Sequence, residues 1–137
     1  HLGMQPQILF VDNDIERLDK LVDAAQEKGR YEIGQCTAIE EAIKSISLCL
    51  PEVLILRCRD DIKETFFYLG VLQKQGLHSK TVIHGTVEKI VGQVFFRYDD
   101  VYYFVKDTNG VDVHGTMRAV EKTAAHTRAK TFEDFFC

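Results

Sequence analysis

The 137 residues carry 17 Lys plus Arg against 21 Asp plus Glu, a net charge of −4, with 45% hydrophobic and 28% charged residues. That balance is globular rather than disordered, and the length suits one domain with a single core and no disulfide staples. No basic excess points to a stand-alone nucleic-acid binder, no apolar run approaches the ~20 residues of a membrane span, and no charged-then-apolar leader points to secretion, so a cytoplasmic domain is expected.

In chain order, His1-Leu2-Gly3 ahead of Met4 reads as an expression scar. Ile8-Leu9-Phe10-Val11 is a first unbroken apolar run and predicts a strand covered on both faces. Ile15, Leu18, Val22 and Ala25 keep helical spacing up to a closing Gly29. Tyr31 to Cys36 is a weaker, alternating strand of the edge type. Thr37 and Glu40 form a T-x-x-E capping box ahead of Ile39, Ala42, Ile43 and Ile46. Pro51 leads into the strand Val53-Leu54-Ile55-Leu56. Ile62, Phe66, Leu69 and Leu72 then form a helix ending at Gly76, with Asp60 or Asp61 as its cap. Thr81-Val82-Ile83 and Val101 to Val105 are two further strands, separated by an irregular helix near Val87 to Phe96 that contains Gly92. After the Asn109-Gly110 turn, Asp112 caps a last helix carrying Val113, Met117, Val120 and Ala124. Five βα units in succession predict an α/β doubly wound three-layer sandwich around a parallel sheet.

Ligand sites in such sheets lie beyond the carboxyl ends of the strands. Here the first run ends in Asp12-Asn13-Asp14, the second in Arg57-Cys58-Arg59-Asp60-Asp61, the third leads to Thr86 and the fourth ends in Lys106. Cys36, Cys49, Cys58 and Cys137 show no C-x-x-C spacing, so reduced, buried thiols are expected and no metal site is assigned. His84, inside an apolar run, is expected to be a core histidine. No G-x-G-x-x-G or Walker-type loop follows a strand, which disfavours the alternative of a small flavodoxin-like enzyme or nucleotide binder.

From Gln7 to about Ala129 the sequence resembles the receiver domain of two-component response regulators. The resemblance rests on Ile8 to Asp14, on Pro51 to Leu56, on Val82-Ile83-His84-Gly85-Thr86 and on Tyr103-Phe104-Val105-Lys106. It implies a flavodoxin-like (βα)5 fold with a five-stranded parallel sheet of order 2-1-3-4-5. It also implies a receiver-like domain over residues 4–130, with 131–137 a C-terminal extension starting a linker to an effector. The site it implies comprises Asp12, Asn13, Asp14, Arg57, Thr86 and Lys106, with Tyr103 at the switch position.

The sequence departs from the family at the chemical centre. Arg57 stands where the phosphoacceptor Asp belongs, Asn13 replaces an acid of the metal site, and Asp107 follows Lys106 where the family has Pro. An arginine stays protonated and cannot be a phosphoryl nucleophile. The expectation is a pseudo-receiver: no catalytic residue, no cofactor, weak or absent Mg²⁺ binding, Arg57 paired with Asp12 or Asp14, and Lys106 paired with Asp12. Asp14 and Thr86 have alternative roles as helix caps. Phosphorylation at a displaced Asp60 or Asp61 is the alternative within the family. Partners are expected to be a protein or a covalently attached effector, not nucleic acid or membrane. The aromatic cluster with Phe95, Phe96, Tyr98, Tyr102, Tyr103 and Phe104 is expected to serve in part as an interface, including a homodimer through the fourth-helix, fifth-strand, fifth-helix face.

Overall fold

A computed structural model describes residues 5–58, 62–86 and 91–136. The elements in chain order are β1 (Gln7–Val11), α1 (Ile15–Lys28), β2 (Glu32–Cys36), α2 (Ile39–Leu48), β3 (Val53–Cys58), α3 (Ile62–Lys74), β4 (Lys80–Gly85), α4 (Val91–Arg97), β5 (Val101–Lys106), α5 (Val113–Ala124) and a short α6 (Phe132–Phe135). The strands form one parallel sheet in the order β2-β1-β3-β4-β5, the flavodoxin-like arrangement.

The unbroken apolar runs explain the centre of that sheet. Phe10, Val53, Leu54, Ile55, Val82 and Ile83 are buried because helices cover both faces of β1, β3 and β4. β2, with its polar alternation, lies at one edge. The helices bury their periodic stripes: Leu18, Leu21, Val22 and Ala25 on α1, and Met117, Ala119 and Val120 on α5. Ile15 leads the α1 stripe but stands 64% exposed at the first helical position. Gly29 ends α1 with φ at 67°, a left-handed cap that a side chain would strain.

Local signals at two helix starts fared differently. Asp112 caps α5 as expected, its carboxylate accepting from the Gly115 amide at 2.8 Å. The Thr37–Glu40 box does not form, because Ala38 is the capping residue of α2 and makes no side-chain bond. Thr37 therefore sits one position too early to reach the third helical amide. The capping expectation for Asp60 or Asp61 lies outside the described residues. The thiol expectation needs correction as well: Cys58 is buried, Cys36 is half-buried and Cys49 is exposed, its Sγ donating to Gln7 Oε1 at 3.0 Å. Cys49 follows directly on the end of α2, beyond the apolar stripe.

β5 carries one residue more than β4 can match. Thr81 pairs with Val101 but Val82 pairs with Tyr103, leaving Tyr102 as the irregularity. Beyond α5 the chain turns at His126 and folds back along the β5 side. Phe135 is fully buried against Phe95, ring centres 4.9 Å apart, and Phe136 forms an isolated parallel bridge to Phe104.

Close packing of β3 on β4 depends on Gly85, which pairs with Cys58. A Cβ at this position would fall onto the Cys58 carbonyl oxygen, an atom fixed in the sheet. Gly85→Ala is expected to destabilise the fold by about 2 kcal/mol or more, the cost of overpacking a site that cannot relax. Urea denaturation of the two proteins measures it, and an unchanged midpoint would show that the strands separate freely.

Candidate functional site

The carboxyl ends of β1, β3, β4 and β5 bring Asp12, Arg57, His84 and Lys106 to one edge of the sheet, joined by Asp107 just past β5 and Arg17 on the first turns of α1. Two ion pairs organise them.

The first belongs to Asp12, which is only 2% exposed. Its Oδ2 accepts from Arg17 Nε at 2.6 Å and its Oδ1 from Arg17 Nη2 at 2.8 Å, a bidentate fork. Oδ1 also accepts from the Asp14 amide at 3.0 Å. Asp14 serves as the α1 cap, accepting from the Arg17 amide at 3.1 Å, and it lies 3.5 Å from the Arg17 guanidinium. The capping bond, aided by that guanidinium, lowers the Asp14 carboxyl below its ordinary range. The Asp12 bond in turn raises Arg17 above its own.

The second pair runs the other way across the sheet. Arg57 Nη1 donates to Asp107 Oδ2, with both side chains largely buried. β3 and β5 are separated by two strand spacings, about 10 Å, so a long side chain is needed to bridge them. Asp107 is fixed at its other oxygen by the Asp112 amide at 3.1 Å and through its own amide, which donates to the Gly85 carbonyl at 2.8 Å. The pairing of Arg57 with Asp12 or Asp14 expected from the sequence is thus corrected. Arg17 already holds both Asp12 oxygens, and Arg57 turns to Asp107. Lys106, expected to pair with Asp12, is half-buried at the end of β5.

His84 lies under the second pair, 1% exposed, with Nδ1 3.4 Å from Arg57 Nη1. A guanidinium only donates, so Nδ1 is the acceptor and the ring is neutral. Burial, reinforced by the Arg57 charge, lowers its pKa to about 4. His84 is the core histidine that the sequence suggests. Asn13 and Thr86 are exposed, and the residues following Thr86 lie outside the described set, as do Asp60 and Asp61.

The site contains three acids, Asp12, Asp14 and Asp107, and three bases, Arg17, Arg57 and Lys106. It borders a cleft of about 270 Å³ lined by Asp12, Asn13, Glu40, Arg57, Glu64 and Tyr68. Divalent cations of the Mg²⁺ type need carboxylate oxygens open to the ion and its waters. Arg17 engages both Asp12 oxygens and Arg57 adds a positive charge beside them, while the Asp14 carboxylate is the more exposed acid of the group. Among the described residues no group of three or more His, Cys, Asp or Glu is placed to hold a metal.

Sequence reasoning missed Arg17 and the role of Asp107. Arg17 had a readable signal, since it falls three residues after the cap Asp14 on the first turn of the helix. Asp107 stands out in the sequence only as a replacement for Pro, because nothing local links it to Arg57, fifty positions earlier. On the α4–β5 side, Phe95, Tyr98 and Tyr103 are buried while Phe96 is 77% exposed.

The fold is that of response-regulator receiver domains. The signal receiver domain of a protein described as a Luxo repressor from Vibrio parahaemolyticus superposes with a TM-score of 0.74 at 14% identity, over 90% of this chain and 92% of the other. A CheY-like response regulator receiver domain protein from Methanospirillum hungatei JF-1 gives 0.73 at 16% identity, over 90% and 96%. A DNA-binding response regulator of the LuxR family from Staphylococcus aureus gives 0.70 at 18% identity, over 87% and 98%. No protein-family model and no curated protein matches the sequence. Among the described residues, no helix is long and apolar enough to cross a membrane.

Two measurements test the site. Arg57→Met leaves Asp107 buried without its cation and is expected to cost about 3 kcal/mol in chemical denaturation. Adding Asp107→Asn should recover most of that loss, since a buried pair replaced on both sides is far less damaging than one broken on a single side. Equal losses in the single and double variants would exclude a coupled pair. The second concerns pH. His84 has a folded pKa of about 4 against an ordinary 6.5, so its contribution to stability is complete above pH 6.5. As pH falls from 6.5 to about 4 the unfolded chain takes up this proton and the folded one does not, which removes about 3 kcal/mol. Denaturation midpoints across that range should fall steeply for the natural chain and less steeply for His84→Asn; parallel profiles would show that His84 is not the group responsible.

Proposed function

We propose that this chain is an atypical receiver module of two-component signalling, cytoplasmic and non-enzymatic, that regulates a protein partner or an attached effector without being phosphorylated. The observation that carries this reading is Arg57. It is the penultimate residue of β3, where the receiver resemblance expects the phosphoacceptor carboxylate, and it is tied to Asp107. A guanidinium offers no lone pair to attack phosphorus. The second support is Arg17, whose fork on Asp12 fills the coordination that a receiver's metal ion would use.

A phosphorylated receiver works by biasing two conformations through contacts made in only one of them. In this chain the charges that would make the difference are already supplied by side chains. The module then presents one conformation at the sheet edge, and its output is set by what binds it or by how much of it is made. The receiver folds it resembles are compatible with an attached effector, and one of those proteins is named as DNA-binding; for this chain the partner class is a protein or a covalently linked domain.

Treatment with acetyl phosphate and Mg²⁺ followed by intact-mass measurement is expected to give no phosphoryl adduct. A Mg²⁺ titration followed by amide chemical shifts should show no saturation below millimolar ion. An acid-labile adduct on any aspartate overturns the reading, and mapping it to Asp60 or Asp61 would establish the displaced-acceptor alternative.

A further inference from the structure

The α4–β5 face is closed by the chain's own C-terminal residues, and the way they are attached has a consequence for association. Residues 128–136 form a strap with three anchors. Arg128 donates from Nε to the Val101 carbonyl at 3.1 Å and from Nη2 to the Phe95 carbonyl at 2.8 Å, with its guanidinium 4.6 Å from the centre of the Phe95 ring. Phe135 is fully buried against Phe95. Phe136 pairs with Phe104 on the edge strand, ring centres 5.9 Å apart. Between these anchors the strap is largely exposed, from Lys130 through Asp134.

The strap leaves α5 through a turn with an unusual residue. His126 has φ at 61°, the left-handed position that closes a helix when the next amide bonds back, as Thr127 does to the Lys122 carbonyl at 2.9 Å. Glycine occupies such a position without strain; histidine does not. The turn is held from outside by Lys80 Nζ, which donates to His126 Nδ1 at 2.7 Å. Extending this turn relieves the left-handed residue and swings the strap away as a unit.

We infer that residues 128–136 are an exchangeable strap, and that two copies of this chain associate by each laying its strap on the α4–β5 face of the other. An opened strap leaves an apolar site at Phe95 and Phe104 and an unpaired edge on β5, neither of which persists in water. The one occupant whose fit to that face is already displayed is this same strap, so a second copy restores every anchor and adds only the requirement of a straightened hinge. The strap's contacts support this independently of the ion pairs around Arg57. The mode differs from a face-to-face dimer through α4, β5 and α5, which requires the strap to stay closed in both copies.

The full chain is tested by light scattering across micromolar to millimolar concentrations, with a mixture of isotope-labelled and unlabelled chains for nuclear Overhauser contacts. The expected result is a dimer fraction that rises with concentration, with Phe135 of one chain in contact with Phe95 of the other. His126→Val, which disfavours the closed turn, should dimerise at a concentration about tenfold lower, and His126→Gly, which favours it, at a higher one. A chain that stays monomeric throughout overturns the inference. So does a dimer without the intermolecular Phe135–Phe95 contact, which would be the face-to-face mode. If His126→Val does not fold, the mixed-label experiment on the natural chain decides alone.

Discussion

A buried carboxylate needs a cation, and that requirement organises the carboxyl edge of this sheet. Asp12 and Asp107 are both nearly inaccessible to solvent. Each is matched by one arginine, Asp12 by Arg17 from the helix beside it and Asp107 by Arg57 from two strands away. Removing a charge of either sign would strand its partner in a region of low polarisability. The consequences spread outward from there. His84 stays neutral because it is buried beside a guanidinium, and Asp107 orders the chain after β5 by accepting the Asp112 amide, which in turn starts α5.

The same constraint separates fold from chemistry. The frame superposes on receiver domains over nine-tenths of the chain, yet at identities of 14–18% that likeness speaks for the fold. What the edge of the sheet can do depends on the side chains placed there. Two arginines in contact with two carboxylates make a closed electrostatic unit, neutral and internally hydrogen-bonded.

The opposite concern governs the β5 side. An edge strand with aromatic neighbours invites association, and here the chain's own residues 128–136 cover it. Arg128 illustrates how one side chain serves several needs, since it satisfies carbonyls of both α4 and β5 while lying over the Phe95 ring. Phe96, left exposed on α4, is the part of the aromatic cluster that the strap does not reach.

Much of the architecture was legible in the sequence because short-range patterns encode it. Unbroken runs such as Val53 to Leu56 mark strands covered on both faces, Gly29 and Asp112 mark helix ends, and the order of the polar strand ends marked Asp12, Arg57 and Lys106 as neighbours. Local chemistry misled where the margin was a single residue, as at Thr37. The pairing of the charges was not legible. Position at the strand ends placed Arg57 near Asp12, but it could not say that Arg17 would take both Asp12 oxygens first, nor that Asp107 lay within reach across β4. The sequence determined by itself the strands, the helices and the presence of an arginine at the end of β3, because those follow from periodicity and position along one chain. Only the tertiary structure decided which carboxylate that arginine neutralises and that the C-terminal residues close the α4–β5 face, because ion pairing and burial depend on distances between segments that lie far apart in sequence.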